Sequence, residues 1–98
     1  MNARVAVFNI KSGKREEAIH LFKNFVVPEA HKQKGFKGGL LLTNPDTGQG
    51  MSIGLWETEA DMTATERSGF YQKWVSRFTD FFTAPPSMEH YEVNIKDY

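Results

Sequence analysis

Residues 36–57 read FKGGLLLTNPDTGQGMSIGLWE, two extended runs around a dense turn. Phe36 to Thr43, with its unbroken Leu40-Leu41-Leu42, predicts a strand, and Gly50 to Glu57 predicts the returning one. Between them, Asn44-Pro-Asp-Thr-Gly48 concentrates residues that preset φ, bond their own backbone or accept positive φ. The middle of the chain is therefore a β-hairpin.

Upstream, Arg4 to Lys11 alternates Val5, Val7 and Asn9 against Ala6, Phe8 and Ile10. Both sets are largely apolar, which predicts a strand covered on two faces. Asn9 is the polar exception; it either orients a ligand or, the better supported reading, pairs with a neighbouring strand. Ser12 is the expected N-cap of a first helix, with Glu16 and Glu17 near its positive end. Ala18, Leu21, Phe22, Phe25 and Val26 share one side of that helix, and His20, Lys23 and Asn24 the other. Pro28 should kink or end it, with one further turn through Ala30.

Downstream of the hairpin, Thr58 followed by Asp61 resembles a capping pattern. A second helix is expected to break at Ser68-Gly69. It then resumes through Phe70, Tyr71, Trp74, Val75, Phe78, Phe81 and Phe82 until Pro85-Pro86. Met88 to Ile95 is the expected last strand. The order is βαββαβ: one α+β, ferredoxin-like domain over residues 1–98, with a four-stranded antiparallel sheet. Helices cover one face of such a sheet. Apolar residues on the other face call for a second copy of the chain or for cover by the C-terminal segment; the homodimer is the expectation.

Composition removes several functions. Twelve basic and twelve acidic residues cancel, so no electrostatic case exists for nucleic acid or an anionic membrane. There is no Cys, hence no disulfide, thiolate chemistry or Cys-bound zinc. No apolar stretch approaches the ~18 residues of a membrane span, and a soluble, cytoplasmic protein is expected. The same topology serves RNA-recognition domains, whose strands present stacking aromatics. Here those places hold Ala6, Met51 and Ile53, and RNA binding is set aside. His20, His31 and His90 lack ligand spacing, so no metal site is expected. No Ser has triad spacing and no glycine-rich phosphate loop is present. The aromatic stripe on the second helix reads first as core. Where its packing against Phe8, Phe22 and Phe25 is incomplete, it would leave an apolar pocket for a flat organic molecule.

Leu55-Trp-Glu-Thr-Glu-Ala-Asp61, Ser68-Gly-Phe-Tyr71, Pro85-Pro86 before Tyr91-Glu-Val93, and Lys34-Gly-Phe36 together resemble the antibiotic-biosynthesis-monooxygenase-like branch of the dimeric α/β-barrel proteins. The resemblance spans essentially the whole chain and marks the fold more than the reaction. It implies homodimers formed by stacking two sheets. It also implies either cofactor-independent oxygenation of phenolic or quinol-type aromatics, or haem degradation. The haem-degrading branch uses an Asn on the first strand and a Trp and a His on the second helix; those places fall on Ala6, Thr65 and Val75. Haem chemistry of that kind is disfavoured, and no cofactor is expected. For an oxygenase, the candidate polar residues are Asn9, His31, Arg67 and Tyr71, with Phe22, Trp56, Phe70 and Trp74 as ligand-binding walls. A non-catalytic dimer that binds a hydrophobic ligand, or serves a stress response, is the alternative. A cavity touching a titratable group would favour catalysis, and one lined by carbon alone would favour binding.

Overall fold

The computed structural model describes residues 1–98. Its strands are β1 (Asn2–Asn9), β2 (Phe36–Thr43), β3 (Gln49–Trp56) and β4 (Ser87–Glu92). They form one sheet in the order β2-β3-β1-β4, with every neighbouring pair antiparallel. The hairpin forms as read: Asn44 Oδ1 accepts from the backbone N–H of Asp46 and Thr47, an Asx turn that closes the loop. The α+β, ferredoxin-like class follows.

Helices α1 (Arg15–Leu21) and α2 (Val27–His31) are joined without interruption by a π-helical turn over Phe22–Val26. Pro28 therefore does not end the helix. It sits in the first turn of α2, and the wider turn before it relieves the clash and the lost bond that a proline imposes on an ordinary helix. The N-cap position belongs to Lys14, without a side-chain cap bond, and Ser12 lies outside, exposed. Ser is the better cap, so the sequence alone predicts a start two residues earlier. The tight turn at Gly13, φ +79°, instead delays the helix.

Helix α3 (Glu59–Arg67) starts as predicted, with Thr58 Oγ1 accepting from Asp61 N–H at 3.0 Å. Gly69, at φ +89°, separates it from α4 (Phe70–Arg77). The aromatic helix stops at Arg77, earlier than expected. Phe82 then leaves the helix to bridge Ile10 and stacks on Phe8, with ring centroids 4.4 Å apart. Ala6, Phe8 and Ile10 of the first strand region pack with Phe70, Tyr71, Trp74, Phe78 and Phe82 as the main core.

The opposite sheet face is bare. Register brings Val5 beside Ile53, Val7 beside Met51 and Leu40 beside Ile53 on that side. Leu40 and Leu42 are 56% and 48% exposed. The C-terminal segment does not cover them: β4 ends at Glu92, and Ile95 and Tyr98 are 85% and 88% exposed. Cover from within the chain, the competing expectation, is thereby excluded for this structure.

Candidate functional site

A cavity of about 640 Å³ opens between the α1–π–α2 segment and the edge half of the sheet. Its helix wall is Ile19, Phe22, Val26 and Ala30; its sheet wall is Leu41, Ser52, Gly54 and Trp56; Phe70 and Trp74 close the inner end. The π turn supplies Phe22, Lys23 and Val26 to this wall, so the widening that accommodates Pro28 also shapes the cavity. Phe22 meets Trp74 edge to face at 6.1 Å and Phe36 meets Trp56 at 5.1 Å, which fixes the ring orientations.

Gly54 determines how Trp56 lies. A Cβ on Gly54 would stand 3.2 Å from Trp56 Nε1, so the indole folds back along its strand into space that a side chain would occupy. The indole N–H is sealed from solvent and has no hydrogen-bond partner. Across the ladder, Gly54 faces Arg4 on β1. Arg4 is only 6% exposed, an unusual place for a cation. Its guanidinium lies between two rings, 4.7 Å from the Tyr71 centroid and 5.5 Å from that of Trp56. Arg4 Nη1 donates to Thr65 Oγ1 at 2.7 Å, to Glu66 Oε2 at 3.2 Å and to Met62 O at 3.4 Å. Glu66 Oε2 is also 2.8 Å from His90 Nε2. A polar chain thus runs from the surface through Glu66 to a buried cation on the cavity wall.

Burial lowers the Arg4 pKa from its ordinary value, while the hydrogen bond and charge of Glu66 oppose that shift. A guanidinium nevertheless remains charged at neutral pH. Burial raises the Tyr71 pKa, opposed by the charge of Arg4 and reinforced by that of Glu66; its phenol stays protonated and its buried Oη has no partner.

Of the sequence-predicted residues, the structure brings Phe22, Trp56, Phe70, Trp74 and His31 to the cavity. His31 is at the rim, exposed, with its ring edge to face on Phe36 at 5.1 Å. Asn9 is not there: it is exposed and follows the bare-face set Val5 and Val7, whereas the helix-facing set is Arg4, Ala6, Phe8 and Ile10. Arg67 is exposed at the end of α3, outside the lining. Tyr71 is also outside it, behind Arg4. Arg4 was missed, although a cation in phase with Ala6, Phe8 and Ile10 is a readable signal of a buried charge.

Fold and cavity together define an α+β protein with an open-mouthed aromatic pocket between its helices and the helix-covered face of the sheet. The sequence profile of the family named antibiotic biosynthesis monooxygenase matches residues 1–77, and the chain belongs to that family. No curated protein matches the sequence. Among solved structures, the haem-degrader MhuD from Mycobacterium tuberculosis, with two haems in its active site, superposes with TM-score 0.80 at 16% identity over 100% of both chains. The ActVA-Orf6 monooxygenase of Streptomyces coelicolor, bound to nanaomycin D, gives TM-score 0.73 at 16% identity over 99% of this chain and 90% of that one. A conserved protein from Methanosarcina mazei gives 0.76 at 16% identity, covering 92% and 89%. At these identities the likeness establishes the fold.

The residues do not fit haem held as the resemblance describes. Ala6 presents a methyl group, Thr65 Oγ1 is engaged by Arg4 and by Met62 O, and Val75 is absent from the cavity wall.

Proposed function

We propose that the chain is a homodimeric, cofactor-independent monooxygenase acting on a small aromatic of phenolic or quinol type. The family membership supports a monooxygenase-type function, and the aromatic-walled cavity carries the narrower reading. That cavity has both features such chemistry needs: apolar rings to orient a flat substrate away from water, and polar groups, Arg4 and His31, on its wall and rim. In the proposed reaction the substrate's ionised hydroxyl makes the ring electron-rich enough to reduce dioxygen directly. An electron passes to oxygen, the radical pair joins as a carbon-bound hydroperoxide, and the O–O bond breaks. One oxygen stays as a carbonyl on the oxidised carbon, and the former hydroxyl oxygen becomes the second carbonyl. The other oxygen of dioxygen leaves as water, its two hydrogens being the one on that ring carbon and the proton given up by the hydroxyl. His31 is the candidate acceptor of the hydroxyl proton.

The same dimer binding an aromatic without turnover is the second reading, favoured by the exposure of His31, which leaves that group open to water. Oxygen uptake with a panel of quinols separates the two. Stoichiometric uptake with carbonyl formation supports the enzyme; tight binding with no uptake for any quinol rejects it. Dimerisation through the bare sheet face rests on the exposed Leu40 and Leu42 and on the prevalence of dimers in this family. A single domain over residues 1–98 and a cytoplasmic location belong to the same reading and rest on the sequence.

A further inference from the structure

The charge on the cavity has one sign. Arg4, Arg15 and Lys23 all stand on its wall, and none of the twelve acidic residues of this neutral chain does. The three cations occupy different depths. Arg4 is at the buried end. Arg15 is half-buried, its Nε donating to Thr43 Oγ1 at 3.0 Å across the opening and its Nη1 to Glu16 at 2.9 Å. Lys23 is exposed and has no ion pair or hydrogen-bond partner. All three protein hydrogen bonds of Arg4 leave from Nη1, so Nε and Nη2 have no protein acceptor, and neither is sealed from solvent. The carboxylate that balances Arg4, on Glu66, is shared with His90. An apolar void whose wall carries cations and no carboxylate rejects cations and favours a ligand that brings a negative oxygen with its ring.

We infer that the cavity selects flat aromatic anions. The ring sits among Phe22, Phe70 and Trp74, and a carboxylate or ionised phenolic oxygen sits in the field of Arg4, Arg15 and Lys23. This narrows the substrate class of the proposed monooxygenase and rests on that reading of the cavity. Rim cations draw the anion in, and the spare donors of Arg4 hold it once water is excluded.

The test is titration of the intact protein with 2-naphthoate and its neutral isostere 2-naphthamide, at low and high salt, followed by calorimetry or tryptophan fluorescence. The naphthoate should bind about tenfold tighter at low salt, and added salt should reduce that preference. Lys23→Glu, on the exposed helix face, should bring the ratio toward one without unfolding the chain. Arg4→Gln should do the same if it folds. Equal binding of both probes, or a ratio unchanged in every folded variant, overturns the charge selection and leaves the aromatic site standing. Failure of both probes to bind overturns the cavity reading together with it.

Discussion

The guanidinium of Arg4 lies over the ring of Tyr71, 4.7 Å from its centroid, while the phenol oxygen of that ring is buried without a partner. The ring and the hydroxyl therefore contribute with opposite sign. The ring supplies apolar burial and a cation–π contact; the hydroxyl has lost its water and gained nothing. Tyr71→Phe should leave stability unchanged or raise it by up to about 1 kcal/mol, because it removes only the unsatisfied group. Tyr71→Ala should cost about 3 to 5 kcal/mol. Urea unfolding at fixed protein concentration separates the two, and a large loss in the Phe variant would mean that the hydroxyl has a partner.

The same residue makes an alkaline prediction. Burial raises the Tyr71 pKa above its ordinary 10.0, so the folded protein holds this proton where the unfolded chain releases it. In that window the native state binds more protons, and stability falls as pH rises. The effect is absent below the unfolded value and begins near pH 10.0. Between pH 9 and pH 11, roughly, Tyr71→Phe should lose less melting temperature than the parent. Equal losses would remove Tyr71 as a contributor.

Thr65 tests the other side of Arg4. Its Oγ1 accepts from Arg4 at 2.7 Å and donates to Met62 O at 2.6 Å. Thr65→Val keeps the shape and removes both bonds, leaving Nη1 of a largely buried guanidinium short of its nearest acceptor. A loss of about 1 to 3 kcal/mol is expected in urea unfolding. A neutral result would show that Glu66 and Met62 O suffice.

Much of this architecture was legible in residue order, because hairpin chemistry at Asn44–Gly48, the Thr58 cap and the Gly69 break are local signals. What misread were features settled at a distance. Pro28 reads as a kink or an end with one further turn through Ala30; the helix does run on to His31, but through a π turn that nothing in Phe22–Val26 announces. Asn9 reads as inward only if the strand is covered on both sides. One face is bare within the chain, and that reverses its meaning. Helical spacing groups Phe70 with Trp74 and places Phe22 on the apolar side of the first helix, whereas Trp56 enters the wall set only through the family resemblance. Arg4 carries its signal in its phase with Ala6, Phe8 and Ile10, against the ordinary tendency of an arginine at the start of a strand to point to water.

Ser52 offers a direct probe of the cavity. It is 9% exposed and lines the sheet wall. Ser52→Leu adds carbon to an apolar void, so folding stability should hold or rise slightly while room for a ligand falls. Affinity for 2-naphthoate should drop by about tenfold, the scale of a few lost ring contacts. Unchanged affinity in a folded variant would move the binding site away from this wall.

Val7 carries the last prediction. It lies opposite Met51 on β3 and Ser87 on β4, in the middle of the face left bare by the helices. Val5, Ile53, Leu40 and Leu42 extend that face as an apolar surface, and the chain's own C-terminal segment does not lie over it. A second sheet stacked there would place Val7 in a dry interface. Val7→Glu would bury a carboxylate with no cation available: the charged neighbour on this face is Glu89, opposite Val5, which repels it. Size-exclusion with light scattering should give the parent twice the 11.2 kDa chain mass, and the variant a single chain mass. Val7→Leu, which keeps the surface apolar, should remain dimeric. A Val7→Glu protein that stays folded at the dimer mass would put the interface elsewhere, with the bare face then open to a different partner.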